Sequence, residues 1–324
     1  MKIILPIRGS DFEAEYENYE LFMEEIETLS NNQNLISLID DSERIEDLGK
    51  GHIEKLSFQS IADEKNIEKS AKAINRIYPE FKTEFILEYL SIDIHYFEDI
   101  EIPIEYSQYL INESLKRLCF LINLSYSTNV DFLPGVIFSD SNDFIGKTEM
   151  IGSSLMYAYE HANKIKWPTI RNIKLIDTIN WFHKFSIHPD NKSKNNAHRA
   201  INAFSHLFGG LKREESDHLF WVMLGIESIL AKGINAISNQ IREKSTIILG
   251  KPTEYTKKLN KLYDYRSRLV HGDTNIYPIF YGDYFSFKNE YDDYLAFGTS
   301  ILIALIRELI YSQKTEFEFE LKLK

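Results

Sequence analysis

The sequence contains a single cysteine, so no disulfide bond can form within the chain. This residue, Cys119, lies in the apolar run of residues 118–122, where we expect a core position in a reducing cytosol. Residues 1–8 contain too short an apolar stretch for a signal peptide. The longest charge-free apolar stretch, residues 294–306, stops at Arg307 and is too short to span a membrane. We therefore expect a cytoplasmic protein with no membrane partner.

The residues that usually bind cofactors are also lacking. The segment 146–148 (GKT) is similar to the end of a phosphate-binding loop, but Ser141 stands where that loop has its first glycine. Five histidines cluster in the sequence, yet no cysteine joins them and no His-x3-His pair occurs. We expect them to be packed or solvated, and we expect neither a metal nor another cofactor. These histidines are His183, His188, His198, His206 and His218.

The excess of acidic over basic residues is confined to the N-terminal part of the chain. The net charge is −12, and residues 1–194 carry 20 Lys and Arg against 33 Asp and Glu. Residues 195–324 carry 17 against 16. A strongly negative protein is a poor general binder of nucleic acids, because such binding depends on clustered cations. The distribution argues against nonspecific DNA binding but leaves room for a local basic cleft in the C-terminal part.

The patterns predict an α+β chain, in which a mixed α/β N-terminal domain is followed by a C-terminal all-α helical bundle. Alternating apolar residues predict strands at 2–7, at 53–61 and within 85–106. Apolar residues at helical spacing predict helices at 12–30, 66–77 and 107–123. Residues 189–196 are polar and rich in turn formers, and they are the best linker candidate.

After this linker the chain is predicted to be almost wholly helical. The predicted helices cover residues 198–211, 217–231, 234–249, 252–271 and 291–312, with a further helix in 173–187. Residues 315–323 alternate like a half-buried strand. We divide the chain into a mixed domain at 1–165, a bundle at 166–314 and a C-terminal strand at 315–324. The distinct composition of the first domain suggests that it is a sensor or regulatory domain.

A guanidinium and an imidazole stand close together near the end of the predicted helix 252–271. Residues 266–272 (RSRLVHG) place Arg266 and His271 with four residues between them. Arg266 falls on the apolar stripe of the helix, where a permanent charge must meet a carboxylate or face a cleft that receives an anion. Gly272 suits the left-handed position that ends a helix, which leaves His271 in the last turn.

Three landmarks follow one another in the C-terminal part of the chain. They are the segment 199–204 (RAINAF), the segment 224–230 (LGIESIL), and the Arg-x4-His pattern inside residues 262–272. In this order they resemble the HEPN superfamily (higher eukaryotes and prokaryotes nucleotide-binding), and within it the Apea-like HEPN domains of bacterial defence proteins. The resemblance covers about the C-terminal third to two-fifths of the chain. It identifies Arg266 and His271 as a catalytic pair.

The resemblance implies a function as well as a fold. HEPN bundles dimerise so that two Arg-x4-6-His motifs face each other in one cleft and cut RNA without a metal. Similarity to Apea-like proteins implies a role in antiphage defence or abortive infection, with cleavage switched on by a phage-derived trigger or a regulatory protein. Two alternatives stay open. The first alternative to this ribonuclease is a non-catalytic HEPN-like dimerisation or binding module. The second is the toxin of a HEPN/nucleotidyltransferase toxin-antitoxin pair.

The residue types suit metal-independent cleavage of single-stranded RNA. Such cleavage needs a base for the 2′-hydroxyl, an acid for the leaving 5′-oxygen, and positive charge near the phosphate oxygens. An imidazole can do either proton transfer near neutral pH, and a guanidinium can hold two phosphate oxygens. Tyr263 or Tyr265 is placed to stack a base beside the motif. The expected product end is a 2′,3′-cyclic phosphate.

Two further supporting residues, Ser267 and Arg268, lie within the motif. Ser267 follows the motif arginine, where the family often has a larger polar residue. On an ideal helix His271 lies about 140° from Arg266. Arg268 lies about 200° from Arg266, so that it points toward solvent and shares a face with His271. Both residues can line one cleft if His271 lies where the helix unwinds, or if the cleft wraps around the end of the helix at a dimer axis.

A single carboxylate lies among apolar residues on the predicted helix 217–231. Glu227 shares a face with Phe220, Met223 and Leu230. It needs a basic partner, and Arg266 and Arg242 are the candidates. By resemblance, Glu227 supports the fold or orients the motif arginine. Pairing of Arg266 with Glu227 is what the non-catalytic alternative expects.

Overall fold

The chain has the predicted α+β fold class. The computed structural model describes residues 1–8, 13–40, 53–61, 64–77, 88–96, 104–127, 129–141, 143–152, 155–208, 217–233, 236–252, 256–273 and 290–319. The chain divides into two compact units. Unit 1 comprises Met1–Ser153, Lys174–His183 and Phe208–Leu211, and unit 2 comprises Ser154–Ile173, Lys184–Leu207 and Lys212–Lys324.

Unit 1 contains a six-stranded sheet in which every strand pair that the structure describes is antiparallel. The sheet order is β2-β3-β1-β5-β6, with β4 also paired to β1. Ile3, Leu5 and Ile7 of the central strand are fully buried, as expected where one face of the sheet lines the core. The strands are β1 (Lys2–Arg8), β2 (Ile53–Ile61), β3 (Glu88–Tyr96), β4 (Asp131–Phe132), β5 (Val136–Phe138) and β6 (Phe144–Lys147).

The helices alternate with these strands in unit 1 and make up the regular structure described in unit 2. They are α1 (Glu13–Thr28), α2 (Gln33–Ile39), α3 (Glu64–Ile77), α4 (Ile104–Ser125), α5 (Leu155–Ile165), α6 (Leu175–Lys184), α7 (Asn196–Ser205), α8 (His218–Leu230), α9 (Ile237–Leu249), α10 (Thr256–His271) and α11 (Glu290–Tyr311). The strands predicted at 2–7 and 53–61 and the predicted helices are confirmed in position, except that α7 ends at Ser205 whereas the prediction continued to 211. Residues 209–211, 234–235 and 253–255 of the predicted helices lie outside the described residues. The prediction within 85–106 corresponds to β3, and its residues 85–87 and 97–103 lie outside the described residues.

A carboxylate of α1 caps the start of α6 in unit 1. The two Glu25 oxygens accept hydrogen bonds from the backbone N–H groups of Leu175 and Ile176, each at 3.0 Å. The Tyr126 hydroxyl donates to the same carboxylate, and burial raises the pKa of that phenol. A carboxylate at a helix N-terminus accepts hydrogen bonds from free N–H groups and interacts favourably with the positive end of the helix dipole. This cap fixes α6 within unit 1.

Unit 2 is built around α11, which packs against α5, α7, α8 and α9. Two glycines permit close packing of the helices. A Cβ at Gly225 of α8 would lie 2.7 Å from Leu302 Cδ1, and a Cβ at Gly298 of α11 would lie 2.9 Å from Val222 Cγ1. The sequence therefore keeps side chains off these two positions so that α8 and α11 can pack closely.

From the sequence, we expected the apolar stretch to stop at Arg307. In the structure it continues past this residue. Arg307 is fully buried within α11, where Nη1 donates to the Arg171 carbonyl at 3.0 Å and Nη2 donates to the Tyr159 hydroxyl at 2.8 Å. When the apolar stretch is taken to include Arg307, α11 is long and apolar enough to cross a membrane, and it is the one such helix among the described residues. Most of its apolar stretch is buried inside the protein, as in the core helix of a bundle.

The unit boundary and the last segment differ from the predicted division of the chain. Unit 2 begins at residue 154 rather than at 166, because α5 packs on α11. Residues 315–319 form no strand, and residues 320–324 lie outside the described part of the chain. The side chains of this segment contact two lysines instead. Glu316 Oε2 lies 3.8 Å from Lys232 Nζ, and the centre of the Phe319 ring lies 5.0 Å from Lys244 Nζ. A strand needs backbone partners, which side-chain contacts of this kind do not supply.

Candidate functional site

The Arg-x4-His motif lies at the C-terminal end of α10. Leu259, Leu262 and Tyr265 are buried at helical spacing and hold this helix in the bundle. Gly272 has φ +78°, and the Asp273 N–H donates to the Arg268 carbonyl at 2.8 Å. These features form a Schellman cap, which ends the helix. The glycine is in the left-handed position that the sequence predicts.

Arg266 faces the bundle and forms an ion pair with Glu227 of α8. Its Nη2 lies 3.6 Å from Glu227 Oε1, and the two side chains are 19% and 18% exposed. This distance exceeds that of a hydrogen bond. Among the described residues, neither Arg266 Nε nor Glu227 Oε1 has a hydrogen-bond partner. Both of these atoms are buried although each side chain is partly exposed, so the pair is loose and retains hydrogen-bonding capacity.

The environment of Glu227 disfavours its charged form. Burial raises the pKa of Glu227, and the nearby Arg266 guanidinium lowers it by a smaller amount. Arg242, the other candidate partner, lies 3.5 Å from Glu243 instead. Glu227 thus combines access to solvent with a greater affinity for a proton than an ordinary glutamate has.

His271 and Arg268 are exposed, unlike Arg266. The Arg268 guanidinium lies 5.5 Å from the centre of the Tyr265 ring. Helix geometry separates His271 from Arg266 by about 140° around the axis and by about 7.5 Å along it. Within one chain the two motif residues therefore face different surroundings, and Arg268 is the cation that shares the exposed side with His271.

The three remaining candidate residues differ in accessibility. Tyr265 is 5% exposed, its ring centre lies 4.8 Å from that of Tyr294, and burial raises the pKa of its phenol. Such a ring is not available to stack on a base. Tyr263 and Ser267 are half-buried. Of the two tyrosines, Tyr263 is therefore the one that reaches the surface beside Arg266.

A cluster of charged residues that the sequence analysis missed holds the first turn of α10. Lys258 Nζ lies 2.5 Å from Asp293 Oδ2 and 2.7 Å from His161 Nε2. The His161 side chain is 10% exposed, and burial together with Lys258 lowers its pKa to about 4. Lys258 thus serves the fold, whereas Lys257 and Lys261 are exposed. Partners so distant in sequence leave no local signal, and α5, which carries His161, was itself not predicted.

The clustered histidines take up separate structural roles. His198 is buried, its Nδ1 accepts from the Lys194 N–H and its Nε2 bonds the His188 carbonyl at 3.0 Å. The His206 ring stacks on Trp221 with ring centres 3.6 Å apart. Within the described ranges, no group of three or more His, Cys, Asp or Glu is arranged to hold a metal ion.

Comparison of the chain with models of protein families, with curated proteins and with solved structures found no match. The geometry around Arg266 and the residues of the motif are therefore the basis for assigning a function.

Proposed function

We propose that this protein is a metal-independent endoribonuclease that cleaves single-stranded RNA at a composite site formed by Arg266 and His271 in a homodimer. The observation that carries the proposal is the state of Arg266. Its side chain is 19% exposed, it is held by a loose ion pair, and its buried Nε has no partner among the described residues. A guanidinium in this state can bind a phosphate group with little rearrangement.

A second copy of the chain completes the site. Arg266 lies against α8, while His271 is exposed in the last turn of α10 and faces away from it. An imidazole that acts on the phosphate bound by Arg266 therefore comes from another chain. Two-fold symmetry then gives two equivalent sites, each with Arg266 of one copy and His271 of the other.

The chemistry follows from these groups. Arg266 binds the phosphate and stabilises the charge that develops on it, and His271 transfers a proton. Arg268 contributes positive charge beside His271, and Tyr263 contributes a ring on which a base can stack. The products are a 2′,3′-cyclic phosphate and a 5′-hydroxyl.

The test compares wild-type protein with the His271→Ala and Arg266→Ala variants on labelled single-stranded RNA and on total RNA in EDTA. We expect cleavage by the wild type and a loss of about 100-fold or more in each variant, with mapped 2′,3′-cyclic phosphate ends. Matched controls are His183→Ala, an exposed histidine of unit 1, and Arg242→Ala on α9. Equal cleavage by wild type and His271→Ala contradicts the proposal.

The biological role we propose is antiphage defence through abortive infection, with cleavage set off by a phage-derived trigger. Resemblance to Apea-like proteins supports this role, and the acidic, compositionally distinct N-terminal part supports a sensor function for it. Cells that carry the full wild-type chain should resist phage plating, and cells that carry His271→Ala should not. Equal plating on both strains contradicts the role in defence.

A second candidate function is a non-catalytic dimerisation or binding module. The observation that favours it is the contact of Arg266 with Glu227 within one chain. In that case Arg266→Ala leaves a half-buried carboxylate without its cation and lowers the melting temperature markedly. Under the nuclease proposal the same variant stays folded and dimeric but does not cleave. Thermal unfolding and cleavage measured on one preparation separate the two functions.

A further inference from the structure

Part of the Glu227 side chain reaches the surface beside α8. Phe220 lies seven residues earlier on that helix, so the two side chains point the same way about 10.5 Å apart. Phe220 is 38% exposed and Glu227 is 18% exposed. Met223, which lies between them on this face, is fully buried, so the surface is open at the two positions separately and Glu227 is only partly exposed.

We propose that Glu227 is the general base of the cleavage reaction, taking the proton of the RNA 2′-hydroxyl beside the phosphate that Arg266 binds. The inference rests on the proposed function and assigns His271 of the second copy the role of general acid. The reaction then uses three groups, namely a carboxylate, a guanidinium and an imidazole.

Distance supports contact of Glu227 with the substrate. Arg266 Nη2 and Glu227 Oε1 are 3.6 Å apart. An oxygen atom that accepts a hydrogen bond of about 2.9 Å from this guanidinium can also lie within hydrogen-bond reach of the carboxylate. Glu227 Oε1 itself is buried and has no hydrogen-bond partner among the described residues, so the 2′-hydroxyl meets the carboxylate at the exposed part of the side chain, which is 18% exposed.

The electrostatic surroundings suit a base. Burial makes the ionised carboxylate less stable, so that its affinity for a proton increases. From the helices packed against α8, Arg266 of α10 is the charged group among the described residues that acts on Glu227, and it keeps the carboxylate from becoming permanently protonated. A base is most effective when its pKa approaches the working pH.

The proposed step is balanced without a metal or a further reactant. The O–H bond of the 2′-hydroxyl breaks, its proton moves to Glu227, and the 2′-oxygen forms a bond to phosphorus. The bond from phosphorus to the 5′-oxygen breaks, and that oxygen takes a proton from the His271 imidazolium. The products are a 2′,3′-cyclic phosphate and a 5′-hydroxyl, and exchange with water restores both side chains.

The test uses the full chain with Glu227→Gln, which preserves the size of the side chain but cannot take the proton. We expect cleavage of single-stranded RNA to fall by about 100-fold or more. The wild-type rate should rise with pH through the titration of Glu227, above the usual range for glutamate, and Glu227→Gln should lack this rise. Glu243→Gln, an exposed carboxylate on α9, is the matched control and should retain it.

The outcomes separate this inference from the proposed function. A wild type that cleaves, together with a Glu227→Gln variant whose rate is lower but keeps the same rise with pH, means that Glu227 only positions Arg266 and overturns the inference. A wild type that cleaves no RNA at any pH, and none in phage-infected cells that express it, overturns the proposed function and the inference with it. Fluorescence anisotropy with labelled single-stranded RNA adds a second readout. In the His271→Ala background, Glu227→Gln should bind RNA at least as tightly, because a carboxylate that competes with phosphate has been removed.

Discussion

Arg266 and His271 belong to one helix, yet Arg266 is half-buried against Glu227 while His271 is exposed in the last turn. The two residues are the ones that the resemblance assigns to a single catalytic centre. Under the proposed function, these opposite surroundings require a centre that is assembled from two chains. This relationship gives the most direct test of the composite site.

Mixing two inactive variants should restore cleavage. A heterodimer of Arg266→Ala and His271→Ala chains has one site with both mutations and one site with Arg266 and His271 intact. Random mixing makes about half of the dimers mixed, so we expect about one quarter of wild-type activity. The measurement is RNA cleavage after the two variants are unfolded and refolded together. A mixture as inactive as its components would show that both residues act within one chain.

The two motif tyrosines should respond differently to truncation. Tyr265 is buried against Tyr294, so Tyr265→Ala should lower the free energy of unfolding by about 3 kcal/mol. Tyr263 is half-buried, so Tyr263→Ala should leave the melting temperature nearly unchanged and weaken RNA binding by about 1 to 3 kcal/mol. Denaturant unfolding and fluorescence anisotropy measure the two effects. The same loss of stability in both variants contradicts the assignment of Tyr263 to substrate.

Acid should weaken the His161 cluster. The folded-state pKa of His161 is about 4, below the ordinary value of 6.5, so between these values the unfolded chain binds a proton that the folded chain does not. The contribution of His161 to the free energy of unfolding is fully present above about pH 6.5. It is lost as the pH falls to about 4, and the loss is about 3 kcal/mol at most. In His161→Gln this contribution is absent. We expect the difference in unfolding free energy between wild type and variant to change across that window in urea titrations, and a constant difference would contradict the lowered pKa.

Removal of the buried guanidinium in α11 should be costly. Arg307→Ala leaves a cavity and deprives the Arg171 carbonyl and the Tyr159 hydroxyl of their donor, for a loss of about 4 kcal/mol. Arg171→Ala is the matched control, since its side chain is 44% exposed, pairs with Glu308 and lies 4.0 Å from the centre of the Tyr311 ring, contacts that should together contribute about 1 kcal/mol. Chemical denaturation of both variants checks the prediction. A similar, small loss in both would show that Arg307 is not a structural anchor of the bundle.

Periodicity and capping residues made the helices of the C-terminal part predictable. Asn195 caps α7, its side chain accepting from the His198 N–H at 2.8 Å, and Gly272 ends α10 as its position suggests. Strands β4, β5 and β6 were missed because segments of two to four residues are too short to show alternation. Helix α5 was missed as well, although its buried residues recur at helical spacing.

The parts of the site that depend on tertiary structure were only partly predictable. Glu227 stood out because a carboxylate on an apolar face needs a partner, and Arg266 was one of two candidates for it. The cluster of His161, Lys258 and Asp293 joins three helices, and no spacing within one helix indicates it. Burial of Arg307 was not predicted because a charged residue normally ends an apolar run, whereas here the carbonyl of Arg171 and the hydroxyl of Tyr159 solvate it.

The position of α11 in the chain has a consequence for biosynthesis. This helix is the one around which α5, α7, α8 and α9 pack, and all four precede it in the sequence. A ribosome that has finished α10 has already made Arg266 and His271, but not the helix around which their bundle closes. Nascent chains therefore carry both motif residues before the unit that arranges them can fold, so any activity that depends on this arrangement begins only after α11 has been made.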